Sequence, residues 1–93
     1  MANVSLIKLV SGEEVIADIK ESQGGLELKS PAALMLTQEG LAMIPFVPYA
    51  EGNITIKQES VMFVAKPINE LLNTYNQKYG SGLVLASNGQ IQI

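Results

Sequence analysis

The sequence predicts a mainly β protein: a small, strongly bent antiparallel barrel followed by one C-terminal amphipathic helix. Short runs rich in strand-forming residues recur about every 8 to 12 residues and are separated by turn signals, which is typical of small barrels and sandwiches. After Pro67 the apolar period changes from that of a strand to that of a helix. An open sheet this apolar would leave adhesive edges exposed, so a barrel is favoured.

At 93 residues the chain has room for one domain. We expect this single domain to cover residues 1–93. Its barrel strands would lie within residues 3–65, its helix over residues 67–79, and an extended segment over residues 80–93.

The stretch LVSGEEVIADI, residues 9–19, predicts a strand, a tight turn and a second strand. Gly12 is the turn residue best able to take a positive φ. Alternation places three residues on one face of the second strand: Val15, Ala17 and Ile19. Ile16 and Asp18 fall on its other face. The pattern therefore predicts a hairpin at the start of the sheet.

Further strands are predicted over residues 26–36, 41–50, 54–57 and 61–65. Pro31 interrupts the first of these runs. Pro45 and Pro48 fall within residues 41–50, so this strand cannot be hydrogen-bonded along both edges and is either an edge strand or a kinked ribbon. The run VMFVA, residues 61–65, predicts a buried strand.

The segment PINELLNTYNQKYG predicts an amphipathic helix that packs on the sheet. Pro67 suits a first helical position and Gly80 is placed to end the helix. The apolar residues at helical spacing are Ile68, Leu71, Leu72, Tyr75 and Tyr79. The two tyrosines are expected in the core or at an interface between subunits.

Composition predicts self-association. Hydrophobic residues make up 47% of the chain and charged residues 16%, against about 25% charged in an average soluble domain. A small domain buries only a modest fraction of its surface. One subunit cannot cover this much apolar surface, so we expect a homo-oligomer.

Charge and residue types exclude several classes of function. The chain has no Cys, His or Arg, and its net charge is −3. Catalysis is disfavoured, and no cofactor or metal site is predicted. Any contact with nucleic acid must come from a local cluster, because strong non-specific binders carry basic patches. No apolar run approaches the about 18 residues of a membrane span, and no signal-peptide pattern is present, so a cytoplasmic protein is expected.

Two segments carry a more specific pattern. Residues 9–19 follow the spacing L-x-x-G-x-x-V-x-G-x-L, with Ala17 in place of the second glycine. The matching positions are Leu9, Gly12, Val15 and Ile19. The second segment, IKQESVMFV, covers residues 56–64 and follows I-R-G-x-x-I-x-x-I. Its apolar positions are Ile56, Val61 and Val64, while Lys57 replaces the Arg and Gln58 replaces the Gly.

These two patterns are similar to the first and second motifs of the Sm and Sm-like (LSm) proteins. The wider sequence, including PYA before the second motif and NELLNTYNQKYGSGLVL after it, resembles Sm-like proteins encoded by marine cyanophages. The resemblance implies a bent Sm-like (SH3-like) barrel that pairs its edge strands with those of sister subunits. It also implies a closed ring of about five to seven copies that binds single-stranded RNA at its pore.

The resemblance also implies the binding residues. The family motif F-D-x-x-M-N-L falls on SQGGLEL, residues 22–28, so Gln23 and Glu27 occupy the Asp and Asn positions. With Lys57 and Gln58 they form the candidate nucleic-acid site. Glu27 places a carboxylate, which accepts hydrogen bonds only, where the family has an amide. Lys57 keeps the positive charge of Arg without the planar group that stacks on a base.

Other residues have both a functional and a structural interpretation. Phe46 and Tyr49 flank Pro48 and suit either base stacking or packing under a bend. Glu13 or Glu14 together with Asp18 offers carboxylates for catalysis or metal binding, but a solvated turn is the favoured explanation of the two glutamates.

The sequence thus predicts a non-enzymatic, ring-forming Sm-like protein that binds single-stranded nucleic acid, and RNA is the favoured ligand over DNA. The expected partners are sister copies of the chain and the nucleic acid, with no membrane. The alternative is a phage structural or assembly protein that retains the ring and does not bind nucleic acid. The acidic balance favours this alternative, because several subunits of charge −3 together repel a polyanion. For a phage-encoded chain the location would be the host cytoplasm.

Overall fold

The structure of the protein is a computed structural model that describes residues 3–79. The strands in this range are β1 (Val4–Leu9), β2 (Glu14–Ser22), β3 (Gly25–Thr37), β4 (Gly40–Pro45), β5 (Ile54–Lys57) and β6 (Val61–Ala65). A short 3-10 turn covers Gln58–Ser60, and helix α1 covers Asn69–Tyr79. The extended segment expected over residues 80–93 lies outside the described residues.

The strands pair antiparallel in one sheet, which confirms the predicted mainly β class. The order is β4–β3–β2–β1–β6, and β5 lies off this path because it pairs with β3. On the edge of β3 opposite β2, residues 25–28 pair with β5 and residues 32–37 pair with β4. The long β3 therefore carries two partners on one edge.

An irregularity in the β2–β3 ladder divides β3 into these two parts. Ile16 pairs with Ala32, whereas Asp18 pairs with Lys29, so one residue of β2 faces two residues of β3, namely Ser30 and Pro31. Ser30 has a φ of 51°, a left-handed conformation that is uncommon outside glycine. The extra residue is a β-bulge, which bends the strand.

The bulge exchanges the faces of β3. Before it, Leu26 and Leu28 point into the first core cluster, and after it Ala32 belongs to a second cluster on the other side of the sheet. The buried members of the first cluster are Ile7, Leu9, Val15, Ala17, Leu26 and Leu28. Ile56 of β5 and Val61 of β6 pack against it although these two strands do not pair. The sheet is therefore curled around this cluster, as the predicted barrel requires.

Helix α1 packs on the second cluster. Its buried members are Ile16, Ala32, Met43 and Tyr75, with Leu71 and Tyr79 packed against them. The two predicted faces of β2 are confirmed, because Ile16 lies in this cluster and Val15 in the first. The helix begins at Asn69, two residues after Pro67, and the amide of Leu72 donates to the carbonyl of Ile68 at its start.

β6 is an edge strand of the sheet and is more exposed than its sequence predicts. Met62, Phe63 and Val64 are 57%, 49% and 46% exposed. The prediction of a buried strand over residues 61–65 is therefore wrong for a single subunit. Apolar composition indicates that a strand must be covered, but it does not say whether its own chain covers it.

β4 is the edge strand on the opposite side of the sheet. Of the two alternatives that the prolines left open, an edge strand or a kinked ribbon, the edge strand is confirmed. The strand ends at Pro45, and the following residues form the connection to β5. Leu41 and Ile44 of β4 are 53% and 43% exposed. Within residues 3–79, no helix has the length and apolar character needed to cross a membrane.

Tyr75 joins the helix to the bulge. The side chain is 2% exposed, and its hydroxyl lies 3.0 Å from the carbonyl oxygen of Lys29 and 2.9 Å from that of Ser30. The single hydroxyl proton is shared between these two carbonyls, which lie at the irregularity of the β2–β3 ladder. A single side chain thus ties α1 to the point where β3 bends.

We expect Tyr75→Phe to lower the free energy of unfolding by about 1 to 2 kcal/mol, because it removes the buried hydroxyl that donates to the carbonyls at the bulge. Urea unfolding followed by circular dichroism measures the loss. Tyr49→Phe is the matched control, since Tyr49 is 88% exposed and its replacement should change little. Equal stability of the two variants would contradict this role of Tyr75.

The same residue predicts a pH dependence. Burial raises the pKa of Tyr75 from 10.0 to about 12. The stability that comes from its neutral phenol is therefore complete below pH 10 and is lost as the pH rises toward 12. Over that range the wild type should lose stability more steeply than Tyr75→Phe, because every other titrating group is common to both. Parallel urea unfolding series on the two proteins test this, and identical slopes would refute it.

Candidate nucleic-acid interface

Three of the four candidate residues meet at one end of the sheet. Gln23 lies in the turn between β2 and β3, Lys57 ends β5, and Gln58 opens the 3-10 turn. Gly25 pairs with Lys57, and the backbone amide of Gln58 donates to the carbonyl of Gly24 over 3.3 Å. All three candidate side chains are exposed. Segments more than thirty residues apart in sequence are thus joined directly.

The close approach of the two backbones depends on Gly25. A Cβ atom at this position would lie 2.1 Å from the carbonyl oxygen of Ile56, far inside van der Waals contact. The neighbouring Gly24 serves a different purpose, because its φ of 82° forms the turn and nothing lies near the position of its missing Cβ. The sequence predicts a turn from this glycine pair, and the structure adds a steric requirement at Gly25.

Glu27 lies on β3 two residues beyond the glycine that pairs with Lys57. Its cross-strand neighbours are Lys20 on β2 and Thr55 on β5. The carboxylate accepts a hydrogen bond of 2.8 Å from the side-chain amide of Asn53. Glu27 is half-buried and already has a partner, so it stands beside the other three candidates rather than among them.

Asn53 was not a candidate from the sequence. It comes directly before β5, after the turn at Gly52. The only signal was its place in a turn-rich EGN triplet, which says nothing about the residue that its side chain meets. With five residues of β2 and β3 it borders a shallow cavity of about 280 Å³: Asp18, Ile19, Lys20, Glu27 and Lys29.

On the outer face beside β5, the paired strand residues carry three lysines and two acids, and Glu59 follows Gln58 in the 3-10 turn. Ile54 and Ile56 pack into the first core cluster, so alternation directs Lys57 to the opposite, outer face of β5. Cross-strand pairing places the other charges of that face in two opposite-charge pairs: Asp18 with Lys29, and Lys20 with Glu27. Such pairs stabilise a register. Three lysines thus face two acids, although the whole chain carries a net charge of −3.

The two aromatic candidates separate in the structure. Phe46 packs against the first core cluster, and its amide donates to the carbonyl of Pro31 over 2.9 Å. Tyr49 lies in the connection between β4 and β5 and is 88% exposed. Phe46 is therefore a packing residue, and Tyr49 retains a free ring face.

The carboxylates considered for catalysis have structural partners. The Ser11 hydroxyl donates to Glu13, and this hydrogen bond lowers the pKa of the exposed Glu13 carboxyl. Glu14 forms an ion pair of 3.2 Å with Lys8, and the Asp18 carboxylate accepts a hydrogen bond of 2.8 Å from the backbone amide of Asn3. Among residues 3–79, no group of three or more acidic, His or Cys side chains is arranged to hold a metal ion.

A scan against protein-family models finds no match to this chain, and neither does a search of curated proteins. The resemblance to Sm-like proteins therefore stays a prediction from the two sequence motifs.

We expect Gly25→Ala to be strongly destabilising, by about 2 kcal/mol or more, because the added methyl group forces β3 and β5 apart. Gly24→Asn is the matched control. It changes the adjacent residue, places no atom against a neighbour, and uses a residue that tolerates a left-handed φ. Thermal unfolding of both variants measures the difference, and similar losses would show that the close approach at Gly25 is unimportant.

Proposed function

We propose that this chain is a non-enzymatic Sm-like protein that assembles into a closed ring and binds single-stranded nucleic acid, and we favour RNA over DNA as the ligand. The observation that carries the proposal is the junction of Gly25 with Lys57 and of Gly24 with Gln58. It joins the two sequence motifs at one exposed surface, and that surface holds three of the four residues expected to contact the ligand.

Ring assembly is supported by the two ends of the sheet. β4 and β6 are terminal strands, and both expose large apolar side chains. Pairing β4 of one subunit with β6 of the next would satisfy both edges and cover those side chains. The two edges belong to different strands, so the contact is heterologous. Repeating such a contact through a closing rotation produces a ring of about five to seven subunits.

The binding chemistry follows from the exposed groups. The Lys57 ammonium is a point charge suited to a phosphate oxygen, and the amides of Gln23 and Gln58 can donate to and accept from base edges. Tyr49, with its free ring face, supplies a stacking surface for a base. Each contact is weak by itself. In a ring it recurs once per subunit, which raises the total affinity.

The acidic balance of the chain favours the second candidate, a phage structural or assembly protein that keeps the ring and does not bind nucleic acid. A ring of subunits that each carry −3 repels a polyanion over about 30 Å at 0.01 M salt. The two candidates share the assembly and differ only in whether the pore surface binds an oligonucleotide.

Titration of labelled U-rich and A-rich RNA oligonucleotides at several salt concentrations distinguishes the two candidate functions. We expect wild-type affinity to fall with salt. Lys57→Ala should bind about tenfold more weakly or worse, because the ring loses one phosphate contact per subunit at once. Lys66→Ala is the control, since Lys66 is exposed and follows β6. Absence of wild-type binding at low salt would favour the assembly role, and equal affinity of the two variants would remove Lys57 from the interface.

Glu27→Gln tests whether the negative charge of Glu27 weakens the binding of nucleic acid. Glutamine can still accept the hydrogen bond from Asn53, while the negative charge beside the proposed phosphate path disappears. We expect affinity to rise about twofold per contact, the effect of one charge at roughly 10 Å in water. Glu39→Gln removes the same charge from the β3–β4 turn and controls for net charge. An equal rise in both variants would mean that only the global charge matters.

A further inference from the structure

A groove with mostly apolar walls lies between β4 and α1. We call it the β4–α1 groove. Its volume is about 600 Å³, and its apolar walls include Leu34, Leu41 and Met43 on the strands and Ile68 and Leu71 on the helix. Leu41 and Ile68 are 53% and 68% exposed, so these walls still contact solvent. Such exposure is unfavourable unless another group covers the groove.

The charges at the groove match an uncharged occupant. Glu70 and Lys78 are its only charged lining residues in the described part of the chain, and they have opposite signs. A nucleic acid finds no net positive charge here, and an acidic or a basic peptide is attracted to one residue and repelled by the other. An apolar, uncharged segment fits this surface best.

The chain itself contains such a segment directly after the helix. Residues 80–93 include no charged side chain, and Leu83, Val84 and Leu85 form an apolar run between glycine- and serine-containing stretches. Lys78, which lines the groove, is one residue before the end of α1. The chain therefore leaves the helix at the groove.

The chain between Tyr79 and residue 83 is long enough to reach along the β4–α1 groove. Residue 83 follows Tyr79 by four residues, which span at most about 14 Å when extended. The groove runs along α1 from Ile68 to Lys78, ten residues that rise about 15 Å. Tethering at such a short distance gives an effective concentration in the millimolar range, far above that of any free peptide.

We propose that Leu83, Val84 and Leu85 occupy the β4–α1 groove of their own chain. The segment covers the exposed apolar walls and holds α1 against β4. This contact lies on the face of β4 and leaves its hydrogen-bonding edge free for the next subunit. The proposal goes beyond nucleic-acid binding and would hold for either candidate function.

Disulfide trapping tests the proposal on the full chain, which has no cysteine of its own. Leu41→Cys, at the wall of the groove, is combined with Ala86→Cys, so that Leu83, Val84 and Leu85 are all retained. Under mild oxidation we expect an intrachain disulfide to form about tenfold faster than in the control pair Glu21→Cys with Ala86→Cys, because the docked segment lies beside Leu41. Glu21 is exposed at the far end of β2.

Two further arms distinguish docking from simple tethering. Adding Leu83→Asp and Leu85→Asp to the Leu41→Cys, Ala86→Cys protein should reduce the rate to that of the control pair, while circular dichroism shows that the sheet persists. Mixing chains that carry tags of two lengths identifies disulfides between subunits. Oxidation that is insensitive to the aspartates, or disulfides that form mainly between differently tagged chains, would overturn the proposal.

Discussion

Ser30 and Pro31 interrupt the pairing of β3 with β2, and the remaining strands are arranged around this interruption. Ser30 makes the bend by adopting a left-handed φ. Hydrogen bonds hold it on both sides: the Tyr75 hydroxyl donates to the carbonyls of Lys29 and Ser30, and the backbone amide of Phe46 donates to the carbonyl of Pro31. A proline at this point removes no ladder donor, because the bulge already leaves the position unpaired. The helix, the bend and the end of β4 therefore depend on one another.

The bend explains how one short chain builds two apolar clusters. The first half of β3 turns its leucines inward, and the second half turns Ala32 and Leu34 toward the helix. The same break lets β5 pair with the first half while β4 pairs with the second. Because β5 ends beside Gly25, Lys57 and Gln58 reach the β2–β3 turn. The candidate interface is thus a consequence of how β3 is divided.

Much of this arrangement could be predicted from local patterns. Alternation on β2 assigned both faces correctly, because that strand has no bulge, and the change of period after Pro67 located the helix to within two residues. The prolines of residues 41–50 limited this strand to an edge strand or a kinked ribbon, because a missing donor is a local property. The grouping of Lys57 and Gln58 with Gln23 came from the resemblance to the two Sm motifs and not from a local pattern.

The remainder depends on contacts that sequence patterns do not encode. Nothing at Ser30 announces a left-handed residue, since glycine or asparagine would be the usual signal, so the exchange of faces along β3 could not be foreseen. The hydrogen bond between Asn53 and Glu27 depends on the path of the whole β4–β5 connection. β6 was expected to be buried because its residues are apolar, and the structure instead places them on an edge that one chain leaves half exposed.

The central claim is that the exposed edges of β4 and β6 are covered by sister chains in a closed ring. Light scattering of the full chain during size-exclusion chromatography measures its native mass directly. With a subunit of 10.0 kDa, the account predicts a single species of about 50 to 70 kDa whose mass does not change on dilution. A stable monomer of 10.0 kDa, or a dimer of twice that mass, would contradict it.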